Sequence, residues 1–247
     1  MNDSVIVENI SKSFRLYHER SKTVFDVART IFNKNTYEMM QILDNVSFSV
    51  KRGEILGILG RNGIGKTTLL RLIAGIYQPD SGRIIVNGKL VPFLAIGTGF
   101  HPELTAISSI NLYGVLLGVS KNEIKEKTNE IIKFAELEKF ADSKLKHFSS
   151  GMTARLAFST ALHMEPDVLL MDEIMSVGDL SFQQKSYDAC LSLKKKGKSI
   201  ILVTHNMEPV KQFCDRAIFL NNARIETIGN TEEVILRYEE TSARETQ

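Results

Sequence analysis

The run Ile55-Leu56-Gly57-Ile58-Leu59-Gly60-Arg61-Asn62-Gly63-Ile64-Gly65-Lys66-Thr67-Thr68-Leu69-Leu70-Arg71-Leu72-Ile73-Ala74 decides the fold. It reads as an apolar strand, a glycine-rich turn and an apolar helix in immediate succession. Within it, Gly60 to Thr68 has two glycines bracketing four residues, then Lys and Thr, which is the phosphate-loop pattern. Glycines let the backbone turn with its N–H groups aimed inward, so the turn and the start of the helix form a nest for the β- and γ-phosphates of a nucleotide. Lys66 adds a point charge to that nest, and the Thr67 hydroxyl suits Mg²⁺. The strand before and the helix after set this loop apart from a glycine-rich turn that matches by chance.

Working outward, short apolar runs alternate with segments of helical period, the pattern of an α/β protein with a largely parallel sheet. The strand candidates are Val5–Ile10, Val46–Val50, Ile55–Leu59, Ile84–Val86, Val168–Met171, Ile200–Val203, Ala217–Leu220 and Arg224–Ile228. Ile55–Leu59 and Val168–Met171 are apolar throughout, as strands buried on both faces are, and are expected at the centre of the sheet. Between about Thr105 and Met164 strand signals vanish. Ile124, Thr128, Ile131, Ile132 and Ala135 recur at helical spacing there, so a helical subdomain of about 105–164 is expected, inserted between core segments of about 1–100 and 165–230.

A phosphate loop needs a carboxylate for its metal and a group that orients water. Asp172-Glu173 ends an apolar strand, and adjacent strand residues point to opposite sides, so Asp172 suits the Mg²⁺ shell and Glu173 the attacking water. His205 ends another apolar strand and is expected at the same edge.

Composition excludes several function classes. Lys plus Arg exceed Asp plus Glu by only 31 − 29 = +2 over 247 residues, so no bulk charge points to nucleic acid. No stretch approaches the roughly 18 apolar residues of a membrane span, and Met1-Asn2-Asp3-Ser4 does not read as a secretory leader. Cys190 and Cys214 offer neither a disulfide framework nor zinc spacing and are expected as reduced, half-buried thiols. One segment stands apart: from Tyr17 to Thr36, Phe25, Ala28, Ile31 and Phe32 fall on one helical face, with Arg20, Lys22, Arg29 and Lys34 around it. Such a basic amphipathic helix either packs on its own domain or meets a membrane surface or membrane partner.

With these motifs in place, the chain resembles the nucleotide-binding subunit of ATP-binding-cassette transporters over nearly its whole length. The specific marker is Phe148-Ser149-Ser150-Gly151-Met152, similar to the family's signature loop and followed by a helix over Thr153–His163. The resemblance implies a phosphate-loop ATPase core with an N-terminal antiparallel β part, ATP and Mg²⁺ as cofactors, and a head-to-tail pair of cassettes. In such a pair Ser149, Ser150 and Gly151 of one copy close over ATP held by the other. It further implies that Ser176-Val177-Gly178-Asp179 crosses that interface, that His205 contacts the γ-phosphate, and that an aromatic residue, Phe14 or else Tyr17, stacks on adenine.

Within the family, three segments are similar to exporters of lipid-linked polysaccharides of O-antigen, capsule or teichoic-acid type. They are Gly97–Thr105, Ser149–Phe158, and Val177-Gly178-Asp179 with Phe182–Lys185. That implies a separate integral membrane permease that handles the lipid-linked glycan, a place on the cytoplasmic face of the inner membrane, and no nucleic-acid partner. Two departures stand out. No Gln occurs between Gln78 and Gln183, so the family's metal-sensing glutamine, expected near Ala95 and Ile96, is missing. The second is the C-terminus, where some relatives add a carbohydrate-binding domain: here an acidic tail, expected to fray from Glu239, runs to Gln247, and recognition of the glycan end by this subunit is not expected. Alternatives are service to a drug exporter or an importer, or a soluble cassette acting on DNA or ribosomes; the latter types carry a long coiled coil or two cassettes.

Overall fold

The computed structural model describes residues 3–17, 37–93, 100–172 and 179–244, with the side chain of Tyr17 left aside. The basic segment after Tyr17 lies outside them. Strands β1 (Asp3–Tyr17), β2 (Tyr37–Lys51) and β4 (Ser81–Val86) form an antiparallel sheet in the order β2-β1-β4. A six-stranded sheet carries β5 (Leu90–Phe93), β6 (Val168–Asp172), β7 (Ser199–Thr204), β3 (Ile55–Leu59), β8 (Arg216–Asn221) and β9 (Arg224–Gly229) in that order. It is parallel except for the β8–β9 hairpin.

Among the described residues the helices are α1 (Lys66–Ile73), α2 (Ala106–Leu116), α3 (Lys121–Ala135), α4 (Ser150–His163), α5 (Leu180–Lys195), α6 (Met207–Phe213) and α7 (Thr231–Arg244). Residues 106–163 hold three of these and two short 3₁₀ turns, and no strand.

The large sheet is a wall between two cores. Along β6, Val168 and Leu170 face one core while Leu169 and Met171 face the other; along β7, Ile201 and Val203 alternate in the same way with Ile200 and Leu202. The first core also takes Leu69, Leu70, Leu72 and Ile73 of α1 and the inner face of the antiparallel sheet. The second takes α2 to α5, including Ile110, Ile124, Leu156 and Phe182. Both faces being covered is why these strands read as unbroken apolar runs rather than alternating ones.

Three expectations are corrected, and one strand outside the expected set is added. β6 is second from the edge and β7 takes the place beside β3, because strand order depends on crossovers that periodicity does not encode. β5 carries Pro92, which weakens any strand reading from sequence, yet proline is tolerated on an edge strand; its carbonyl accepts a 2.7 Å hydrogen bond from the Tyr113 hydroxyl. The tail does not fray from Glu239: α7 runs to Arg244, with Val234 buried and Tyr238 edge-on to Phe219 at 5.2 Å. Cys190 is fully buried rather than half-buried, and burial pushes both thiols up to about 12.

Candidate functional site

Parallel register brings the predicted groups to one edge. Leu59 pairs with Thr204 and Asp172 with Val203, so Gly60, Asp172 and His205 follow one another at the carboxyl ends of three adjacent strands, β3, β6 and β7. Ligands of open α/β sheets bind at that edge. His205 is exposed there, just past the end of β7.

The loop from Gly60 to Gly65 is shaped by what glycine lacks. Gly65 caps α1 at φ 113°, and a Cβ added there would meet Ile42 Cγ2 at 2.8 Å and the Ile42 carbonyl at 2.9 Å. A Cβ on Gly63, at φ 81°, would meet nothing within 4 Å, so that turn opens outward. No acidic residue sits in the first turn of α1 and no side chain caps it, which leaves its N–H groups and positive dipole end for an anion. Lys66 is 5% exposed, and its ammonium donates to the carbonyls of Gly60 at 2.7 Å and Arg61 at 2.9 Å, poised at the mouth of the loop. Beside it, the Thr67 hydroxyl donates to Asp172 Oδ2 at 2.9 Å across 105 residues of sequence. A hydroxyl and a carboxylate thus converge where the sequence places the metal. Asn62, Ile64 and Thr68 complete the loop and its helix start, Ile64 lying against the core below.

An open cavity of about 600 Å³ adjoins the loop, lined by Met40, Gln41, Ile42, Asp44, Gly63, Ile64, Asn222, Ala223 and Arg224. Sequence reasoning missed the β2 and β8–β9 contributions to it, since nothing local marks them. Phe14 does not line this cavity. It sits opposite Met40 in the β1–β2 register, with its ring edge-on to Tyr77 at 5.6 Å and the Lys12 ammonium 5.5 Å from its centroid.

The Ser149 loop lies elsewhere, on the helical layer. Ser149 caps α4, accepting from the Met152 N–H at 3.1 Å, and the helix begins at Ser150, three residues before the expected Thr153. Ser149 and Ser150 are exposed, and a Cβ on Gly151 would touch only the Ser149 hydroxyl at 3.8 Å. Asp179 caps α5: its carboxylate accepts from the Phe182 N–H at 3.0 Å and the Ser181 hydroxyl at 2.7 Å, and pairs with Arg155 at 2.6 Å. Those contacts, the Phe182 N–H first, hold its carboxyl down to about 2. Glu173, Ser176, Val177, Gly178, Ala95 and Ile96 fall outside the described residues.

Comparison with known proteins matches residues 43–176 to the ABC transporter family. An O-antigen export system ATP-binding protein of Klebsiella pneumoniae is 37% identical over 98% of this chain and 100% of its own length. A teichoic acids export ATP-binding protein of Bacillus anthracis is 38% identical over 97% of this chain, which spans 43% of that longer protein. In fold, the chain is similar to a dimeric ATP-binding cassette in a post-hydrolysis state bound to ADP and Pi, with a TM-score of 0.74 and 24% identity over 92% of this chain and 98% of that one. The ATP-binding subunit of an ABC transporter superposes with a TM-score of 0.75 and 23% identity over 95% and 93% of the two chains.

Proposed function

We infer that this chain, which belongs to the ABC transporter family and is an ATPase, powers export of a lipid-linked polysaccharide through a separate membrane permease. The observation that carries the catalytic half is the meeting of Thr67 and Asp172 at 2.9 Å beside Lys66, at the edge shared with His205. The likeness to O-antigen and teichoic acid export proteins supports the polysaccharide half.

The donor set fits Mg·ATP. Among the described residues no cluster of three or more His, Cys, Asp or Glu is suited to a metal, but Mg²⁺ at a phosphate needs only one or two protein oxygens and keeps its waters. Thr67 and Asp172 would hold it, and when bound it supplies charge neutralisation at the phosphates. The backbone N–H groups from Gly63 to Thr68 would hold the phosphates, with Lys66 turning from its carbonyls to the γ-phosphate. Glu173 orients the attacking water, and His205 touches the γ-phosphate from the neighbouring strand end. Phe14, or else Tyr17, stacks on the adenine. The remaining donors come from a second copy in head-to-tail orientation: its Ser149 hydroxyl, with the Ser150 and Gly151 N–H groups of an exposed helix start, aimed at developing negative charge. Its Asp179 loop crosses the same seam. Closure of the pair pulls on the permease at the cytoplasmic face of the inner membrane, and hydrolysis resets it.

The soluble DNA-acting alternative needs a long coiled coil between the phosphate loop and the Ser149 loop. Here the helices between them, α2 and α3, are 11 and 15 residues long. The deciding experiment is Glu173→Gln: Mg·ATP should hold the variant as a stable dimer while turnover falls by about 100-fold or more, the scale of losing a group that positions the nucleophile. Wild-type turnover in that variant would remove Glu173 from its role.

A further inference from the structure

An ion-pair cluster away from the nucleotide loop joins three helices. Arg155, six residues past the Ser149 cap on α4, reaches Asp179 Oδ2 at 2.6 Å with one guanidinium nitrogen and Glu136 Oε2 at 3.1 Å with the other. Its guanidinium carbon lies 4.9 Å from the centroid of the Phe182 ring on α5. Lys185, also on α5, meets the second Glu136 oxygen at 3.1 Å, donates to the Phe134 carbonyl at 2.9 Å, and lies 4.7 Å from the Phe134 ring. The end of α3, the first turns of α4 and the first turns of α5 therefore share one set of charges. The Arg155 side chain is only 17% exposed, held in place between carboxylates that stay open to solvent at 45% for Glu136 and 60% for Asp179.

Beneath the charges, Phe182 packs edge-on to Phe134 at 6.0 Å and to Phe158 at 6.3 Å. Aromatic contacts of this kind add packing energy between the helices. A guanidinium fork that bonds to two carboxylates is directional and fixes the angle.

The backbone supplies a second, independent observation. Glu136 follows α3 at φ 60° and ψ 42°, in the left-handed region where helices end on glycine or asparagine. Glycine would meet the backbone demand better. What glycine lacks is the carboxylate that bridges Arg155 and Lys185.

We propose that Arg155 and Glu136 form a positioning clamp. It locks the N-terminus of α4 to that of α5, so that Ser149 to Gly151 and Asp179 are presented to the second copy as one preformed surface. The clamp rests on the reading that these residues face a second copy. Asp179 is itself the cap of α5, so any movement of Arg155 is passed directly to the start of that helix.

The test uses the full chain with Mg²⁺ and a non-hydrolysable ATP analogue, measuring the dimer dissociation constant by analytical ultracentrifugation, the analogue affinity of the isolated protomer, and the unfolding midpoint. Glu136→Gly should leave protomer affinity unchanged and the midpoint unchanged or raised, while weakening the dimer by about tenfold, the scale on which residues that touch neither partner modulate coupling. Arg155→Ala should weaken the dimer at least as much, and Arg155→Lys should not restore it, because an ammonium cannot fork between two carboxylates. A purely structural role would move the midpoint along with the dimer. Parental dimer affinity in Glu136→Gly, or in Arg155→Lys if the other variants fail to fold, overturns the clamp. A parent protein that stays monomeric with the analogue removes the second-copy reading and the clamp together.

Discussion

Two helix N-termini in this molecule have the same chemistry and opposite surroundings. Neither α1 nor α4 has an acidic residue in its first turn, so both offer N–H groups and a positive dipole end to an anion. At α1 the approach is built from within the chain: Lys66 is buried, Gly65 is pressed against Ile42, and Thr67 is tied to Asp172. At α4 the cap is a serine whose hydroxyl answers its own helix, and the flanking residues lie open. One terminus has its walls in place and the other has none. The difference teaches that a helix start becomes a site through its neighbours, and that the neighbours of α4 must come from outside the chain if it is to act on phosphate.

The largest expected effect falls on the walled site. Lys66→Ala should lower ATP affinity by about 2–3 kcal/mol, the scale of charge-assisted hydrogen bonds, as read by equilibrium dialysis; unchanged affinity would break the comparison at its first term. Gly65→Ala comes next. It should cost about 1–3 kcal/mol of unfolding free energy, because alanine at that φ is strained and its methyl group meets Ile42; denaturant titration measures it. Ser149→Ala should cost only about 1 kcal/mol in the same titration, the usual loss for a helix cap, and should loosen the ATP-bound pair.

The smallest effect is a matter of pH. The Asp179 carboxyl is held to about 2 against an ordinary 3.8, so its contribution is complete above pH 3.8 and fades as the pH falls through about 2. Neutral pH should leave it untouched. NMR titration of the carboxyl carbon should find the midpoint near 2, and Arg155→Ala should recover only part of the shift, since the Phe182 N–H and Ser181 hydroxyl act first.

What the sequence made legible was local. Gly60 to Thr68, Asp172 at the end of an apolar run and His205 after another are each recognisable within a dozen residues, and strand register then brings them together. The features that stayed hidden are separated along the chain. Arg155 meets Glu136 and Asp179 across 19 and 24 residues, and the cavity beside Gly63 borrows Met40 to Ile42 from β2 and Asn222 to Arg224 from the β8–β9 hairpin. The place of β7 beside β3 has the same origin: Val168–Met171 and Ile200–Val203 are equally apolar runs, and nothing in either says which neighbour it takes. α7 could have been read from Val234, Ile235 and Tyr238 at helical spacing after Asn230, but the density of glutamates there outweighed the pattern.

Pro92 has a further effect at the rim of the large sheet. Within a strand, the N–H and C=O of one residue point to the same side, and here that carbonyl is already taken by the Tyr113 hydroxyl while the N–H does not exist. A foreign strand arriving at β5 would find no donor at this residue and a carbonyl already engaged, the kind of blunting by which natural sheets resist edge-to-edge aggregation. The head-to-tail pair we propose joins through helix ends, and this blunted edge keeps copies from joining through the sheet instead.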